Sequence, residues 1–145
     1  MTPDPRMAPY LDDSTLLLAL CVYREARGEC YDAKLGVANV VRNRVRLSPA
    51  EGFKRTVREN VLKPYAFSSF NDDDPNRNVY PLHIADTSNR AWQDCLRAAK
   101  SLDPDNTGGA VFYFSSPLVD PPPAWGKVKP TVRMGDLSFF KMVAK

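Results

Sequence analysis

Glu25 stands at the end of an apolar run, Leu16-Leu17-Leu18-Ala19-Leu20-Cys21-Val22-Tyr23-Arg24-Glu25, where a helix would not normally carry a carboxylate. Leu17 and Cys21 precede it by eight and four residues, and Leu18 and Val22 by seven and three, so helical spacing sets Glu25 on the buried stripe. A carboxyl group there is partly desolvated. Gly28 as a C-terminal breaker also puts it in the last turn, at the negative end of the helix dipole, and both effects are expected to raise its pKa. A carboxylic acid kept protonated near neutrality suits cleavage of a glycosidic bond, because the leaving sugar oxygen needs a proton as the bond breaks. The competing reading is structural: an ion pair with Arg24 or Arg27, which would draw the pKa back down, or a carboxylate reaching water at the edge of the core.

Other chemistries find less support. Cys21, Cys30 and Cys95 are odd in number and form no Cys-x-x-Cys pair, so reduced thiols are expected. His83 is the sole histidine and has no cysteine at ligand spacing, which points to no metal and no cofactor. A Cys-His hydrolase built on Cys30 or Cys95 with His83 carries little weight. Gly108-Gly109 precedes a strand-like run, with no Lys-Ser or Lys-Thr after it, and so does not resemble a phosphate-binding loop.

The elements that must position Glu25 are helices first and a small sheet last. A chain of 145 residues, 43% apolar and 26% charged, is long enough to bury roughly 70% of its unfolded surface in one core. Residues 1–13 are expected as a loosely held arm and residues 14–145 as a single catalytic domain. Asp12, Asp13 or Ser14 caps a first helix running to about Ala26. Asp32 caps a second, from about Ala33 to Arg46, with Val37, Val41 and Val45 inward and Arg42, Arg44 and Arg46 mostly solvated. A short amphipathic segment follows from Phe53 to Leu62, then a long polar and aromatic loop from Tyr65 to Tyr80. Asp86 or Thr87 starts a helix whose stripe is Trp92, Cys95, Leu96 and Ala99. A turn at 105–109 leads into a strand over 110–115, with which Thr131 to Met142 is expected to pair. Pro121-Pro122-Pro123-Ala124-Trp125 between them is stiff and presents an aromatic plate.

The run Tyr23-Arg24-Glu25-Ala26-Arg27-Gly28-Glu29, followed by Gly36-Val37-Ala38-Asn39-Val40-Val41-Arg42-Asn43-Arg44-Val45, resembles the opening of cell wall hydrolases of the SleB/CwlJ type. Phe67-Ser68, Trp92, Thr107-Gly108-Gly109-Ala110, Phe112-Tyr113, Pro122-Pro123-Ala124-Trp125, and Gly135 with Phe139 continue the likeness in order, over about residues 14–141. The resemblance implies an α+β, mainly helical, lysozyme-like domain with a small antiparallel β-hairpin near the C-terminus. It also implies cleavage of peptidoglycan between N-acetylmuramic acid and N-acetylglucosamine, with Glu25 as catalytic acid in a lytic transglycosylase mechanism. A hydrolytic muramidase instead needs a second carboxylate, for which Glu29 and Asp72, in the Asp72-Asp73-Asp74 run, are the candidates. Phe67, Ser68, Tyr113 and Trp125 are expected to contact the glycan or steady the carboxyl group. Arg27 is expected to pair with Glu29 and shape the turn between the first two helices.

The expected partner is therefore the peptidoglycan strand, met by a monomer without stable membrane insertion. No secretory pattern is visible in the first residues, so the chain is expected to be made in the cytoplasm and to act on the wall or in the periplasm after release, as a phage endolysin helped by a holin-type partner in preference to a virion-associated enzyme or one exported by another route. Two rivals are a wall-binding or phage structural module without turnover, and a nucleic-acid binder. The net charge of +3 and the arginines Arg42, Arg44, Arg46, Arg55 and Arg58 suggest the latter, but their spacing spreads them around helices instead of making one stripe.

Overall fold

The computed structural model describes residues 4–115 and 129–142. Five α-helices, α1 (Ala8–Leu11), α2 (Ser14–Ala26), α3 (Tyr31–Leu47), α4 (Val57–Leu62) and α5 (Arg90–Lys100), are followed by strands β1 (Phe112–Ser115), β2 (Val132–Met134) and β3 (Leu137–Phe140). The mainly helical α+β class expected from the sequence is what the chain adopts. No helix among the described residues is long and apolar enough to cross a membrane.

Helix α2 is the hub. Asp13 caps it, its Oδ1 accepting from the backbone N–H of Thr15 at 2.9 Å and of Leu16 at 3.2 Å. Leu17 to Val22 are buried without a break, because α1, α3, α4 and α5 all pack around this helix. Helix α3 begins two residues before the expected start, with Cys30 at its N-cap position and Asp32 inside the first turn, where its charge suits the helix dipole. Its Gly36 permits a close approach to the sheet: a Cβ there would lie 2.6 Å from Cζ of Phe139. Helix α5 is capped by Asn89, whose side chain accepts from Trp92 N, and not by Asp86 or Thr87. Asp86 instead accepts from the N–H and hydroxyl of Ser88 in the preceding turn. Trp92 is fully buried, its indole N–H donating to the Ile84 carbonyl at 2.8 Å, with Tyr10 and Tyr23 meeting it edge-on.

Two expectations are corrected and one is extended. Residues 5–11, taken as part of a loose arm, form a 3-10 turn and the single-turn helix α1, and Tyr10 is buried in the core. The expected antiparallel pairing of the 110–115 strand with the 131–142 stretch forms, between β1 and β3, and β2 extends it to a three-stranded sheet of order β1-β3-β2. The 131–142 stretch folds back on itself at Gly135, whose φ of 57° suits a tight turn, before β1 joins it. Arg44, expected in solvent, is buried, and Arg42 is half-buried; only Arg46 of the three is exposed. Their donors explain this: Arg42 donates to the carbonyls of Ala98 and Ala99, and Arg44 Nε to that of Val111. With Asn39 and Asn43, which hold Asn106 and the Ala110 carbonyl, they lash α3 to the last turn of α5 and to the segment between α5 and β1.

Candidate active site

A cleft of about 490 Å³ opens beside the C-terminal turn of α2. Glu25 is half-buried at one side of it, where α2, α3 and β1 converge. Tyr113, projected from β1, donates its hydroxyl to Oε1 of Glu25 at 2.5 Å, the length of a charge-assisted bond to a carboxylate. Among the described residues Oε2 accepts no hydrogen bond, so one oxygen is fixed and the other can hold or receive a proton. Burial first, and then the Glu25 charge, push the Tyr113 phenol well above its ordinary pKa, so it remains a donor at any working pH. Cys21, one turn back on α2, is likewise pushed up by burial and by Glu25.

The ion pairs that would have made Glu25 structural are not formed. Arg24 points away, giving its guanidinium to the carbonyls of Val79, Ser69 and Arg77 at 3.0, 3.2 and 2.7 Å. It lies between the rings of Phe70 and Tyr80 and so pins the 65–80 loop to α2. Arg27 stacks over Tyr23 and donates to the last carbonyls of its own helix, not to Glu29.

Of the remaining expected site residues, Phe67 and Ser68 line the cleft with Glu25 and Tyr113. Ser68 is exposed there, whereas Phe67 is 3% exposed and belongs mostly to the core. Glu29 lies apart from the cleft lining, and its Oε1 accepts from the backbone N–H of Asp136 at 2.9 Å, tying the α2–α3 turn to the β2–β3 turn. Asp72 is exposed in a neighbouring hollow of about 330 Å³, separated from the cleft by the Lys63-Pro64-Tyr65 segment that both share. Trp125 falls outside the described residues.

Several lining residues had not been anticipated: Arg44, Glu51, Phe53, Asn60, Lys63, Tyr65 and Phe112. Arg44 had a signal, since it follows Val37 and Val41 by seven and three residues and so continues their stripe. Its guanidinium packs 5.0 Å from the ring centre of Phe67, 5.3 Å from Phe53 and 5.7 Å from Phe112. Tyr65, 86% exposed, is the open aromatic face of the cleft.

A mainly helical domain with a small antiparallel sheet, here built around this cleft, is the fold of SleB catalytic domains. The catalytic domain of Bacillus cereus SleB superposes with a TM-score of 0.63 at 29% identity, covering 88% of this chain and 89% of that one. The catalytic domain of the germination-specific lytic transglycosylase SleB from Bacillus anthracis gives 0.62 at 27% identity, covering 97% and 100%. The chain belongs to the cell wall hydrolase family, whose model matches residues 28–140. The spore cortex-lytic enzyme of Halalkalibacterium halodurans is 35% identical over 108 residues, which make up 74% of this chain and 29% of that protein. The Bacillus subtilis enzyme of the same name is 32% identical over 111 residues, 77% of this chain and 32% of its own length. The chain thus spans about a third of the length of these relatives.

Proposed function

We propose that this chain cleaves peptidoglycan between N-acetylmuramic acid and N-acetylglucosamine as a lytic transglycosylase, with Glu25 as its acid and base. The observation that carries the reading is the bond from Tyr113 to Oε1 of Glu25 in the cleft. It leaves Oε2 to give its proton to the glycosidic oxygen as the bond to the muramyl C1 breaks. The same oxygen, now a carboxylate, takes the proton of the muramyl C6 hydroxyl while O6 bonds to C1, closing a 1,6-anhydro ring without water. The relative named as a germination-specific lytic transglycosylase supports this route.

Hydrolysis with a second carboxylate is the other reading, and one observation favours keeping it: Glu51 lines the same cleft. Glu29 lies outside the cleft lining and Asp72 in the next hollow, so by position Glu51 is the candidate for that role. Mass spectrometry of fragments released from purified peptidoglycan by the wild type and by Glu25→Gln decides between them. Anhydro-muramyl ends from the wild type alone are expected. Reducing muramyl ends would mean hydrolysis, and no fragments from a folded wild type would mean a binding module. The relatives' names favour spore cortex as substrate, while the expected lysin role with a holin-type partner favours vegetative walls. Cleavage rates on the two substrates, side by side, separate those settings.

A further inference from the structure

The turn between the cleft and the neighbouring hollow is built against the preference of its own residues. The Ala66 N–H donates to the Lys63 carbonyl at 3.1 Å, Pro64 takes the second position, and Tyr65 takes the third with a φ of 64°. Proline followed by a left-handed residue is the pattern of a type II turn, whose third position ordinarily takes glycine or asparagine. A tyrosine there strains the backbone. Packing does not offset the strain, because 86% of Tyr65 is exposed. Among the described residues one other non-glycine residue has a left-handed backbone, Glu51 with a φ of 54°, and it lines the same cleft. Strained residues gathered at one cleft point to a ligand they serve. Lys63 Nζ ties the two turns together by donating to the Gly52 carbonyl at 3.0 Å, and on the other side Asn71 Oδ1 accepts from the Tyr65 N–H at 3.2 Å. The ring thus stands on an anchored turn, with Glu51 and Ser68 on the cleft side and Asn71 and Asp72 on the side of the hollow.

We propose that Tyr65 is a sugar-binding platform over which the glycan strand passes from the cleft into the neighbouring hollow. This rests on the peptidoglycan substrate given above. A pyranose ring has faces of C–H groups and a rim of hydroxyl and acetamido groups. The exposed phenol ring covers a face, and the polar side chains on either side of it meet the rim. A tyrosine loses little freedom on binding, and less here because its turn is already held at both ends. Asp72 and Asp73 in the hollow would repel the carboxylates of a stem peptide, which favours the uncharged sugar as occupant. Glu25 lines the cleft and not the hollow, so the sugars that the platform adds lie beyond the bond that is cut.

The test is the dissociation constant of peptide-free glycan strands, measured by calorimetry on the whole chain carrying Glu25→Gln so that the strands stay intact. Adding Tyr65→Gly is expected to weaken binding of long strands about 10-fold. Its Tm is expected to be unchanged or higher, since glycine relieves the turn, whereas loss of a packing residue would lower it. Adding Tyr65→Trp, which keeps an aromatic face, is expected to leave binding within about 3-fold. Undiminished affinity with Tyr65→Gly overturns the proposal. So does an equal loss on strands of two disaccharide repeats and on long ones, because the ring would then serve only the sugars at the cut bond. A loss seen only on strands that keep their stem peptides overturns it as well. Fragment release by the wild type is scored separately. No release, with binding that still depends on Tyr65, removes the catalytic reading alone; release with binding indifferent to Tyr65 removes only the platform; and strands that bind neither form remove both.

Discussion

Tyr113→Phe is the substitution that most directly probes the site. It deletes one oxygen and keeps the ring, which lies 5.9 Å from that of Phe139 and faces it across β1 and β3. The lost bond is the 2.5 Å contact to Oε1 of Glu25. Hydrogen bonds to charged groups contribute about 1.5–3 kcal/mol, and each 1.4 kcal/mol is about a factor of ten, so kcat is expected to fall about 10- to 150-fold if the bond holds Glu25 throughout the reaction. KM is expected to change little, because the phenol touches the carboxyl group and not the sugar. Stability is expected to stay within about 1 kcal/mol of wild type, since the phenylalanine keeps the packing and the partner left behind is half-exposed. The assay is the initial rate of fragment release from purified peptidoglycan at several substrate concentrations, beside a thermal melt. A wild-type kcat in a normally folded Tyr113→Phe would refute the idea that this bond positions the carboxyl group.

Two further substitutions test the frame around the site. Gly36→Ala places a Cβ 2.6 Å from Phe139 Cζ and 2.8 Å from Met134 Cε, so overpacking is expected to cost about 1–3 kcal/mol; a urea midpoint equal to wild type would show that the sheet yields freely. Asp105 is held below the usual carboxylate range, since burial, which raises its pKa, is outweighed by hydrogen bonds from Thr107, Gly109 and Asn43. A lowered folded pKa means that its stabilisation is present above the unfolded value and lost as pH falls through the folded one. Wild type and Asp105→Asn are therefore expected to differ in Tm near neutrality and to converge below about pH 3.8; a gap that persists in acid would contradict this.

Much of the architecture could be read from local patterns. Asp13 caps α2 as its position before the apolar run suggests, and Glu25 occupies the stripe that the Leu17, Cys21 spacing assigns to it. Arg44 was missed because a charged side chain was read by its usual preference for water, and Arg24 because it was read as a partner for its neighbour Glu25. Arg24 and Arg44 are buried because backbone carbonyls and aromatic rings from distant segments, 69–79 and 53–112, come to them. Nothing local announces those partners. The cleft lining from Glu51 to Tyr65 was hidden because its residues come from a 3-10 turn, α4 and a loop that only the tertiary fold brings to the cleft beside Glu25. Asn89 took the cap from Asp86 because Ser88 had already claimed the aspartate.

Arg24 and Glu25 are consecutive, and neighbours on a helix point about 100° apart. One residue therefore grips the loop that carries Phe67 and Ser68, while the next delivers the carboxyl group to the cleft those residues line. The two tasks are phased by the screw of α2. Deleting one residue from that helix would turn the carboxylate away from Tyr113 and swing the guanidinium off its carbonyls in the same rotation. Length changes in this helix are thus barred twice over, whereas length changes in the exposed 71–74 bend meet no such phase constraint.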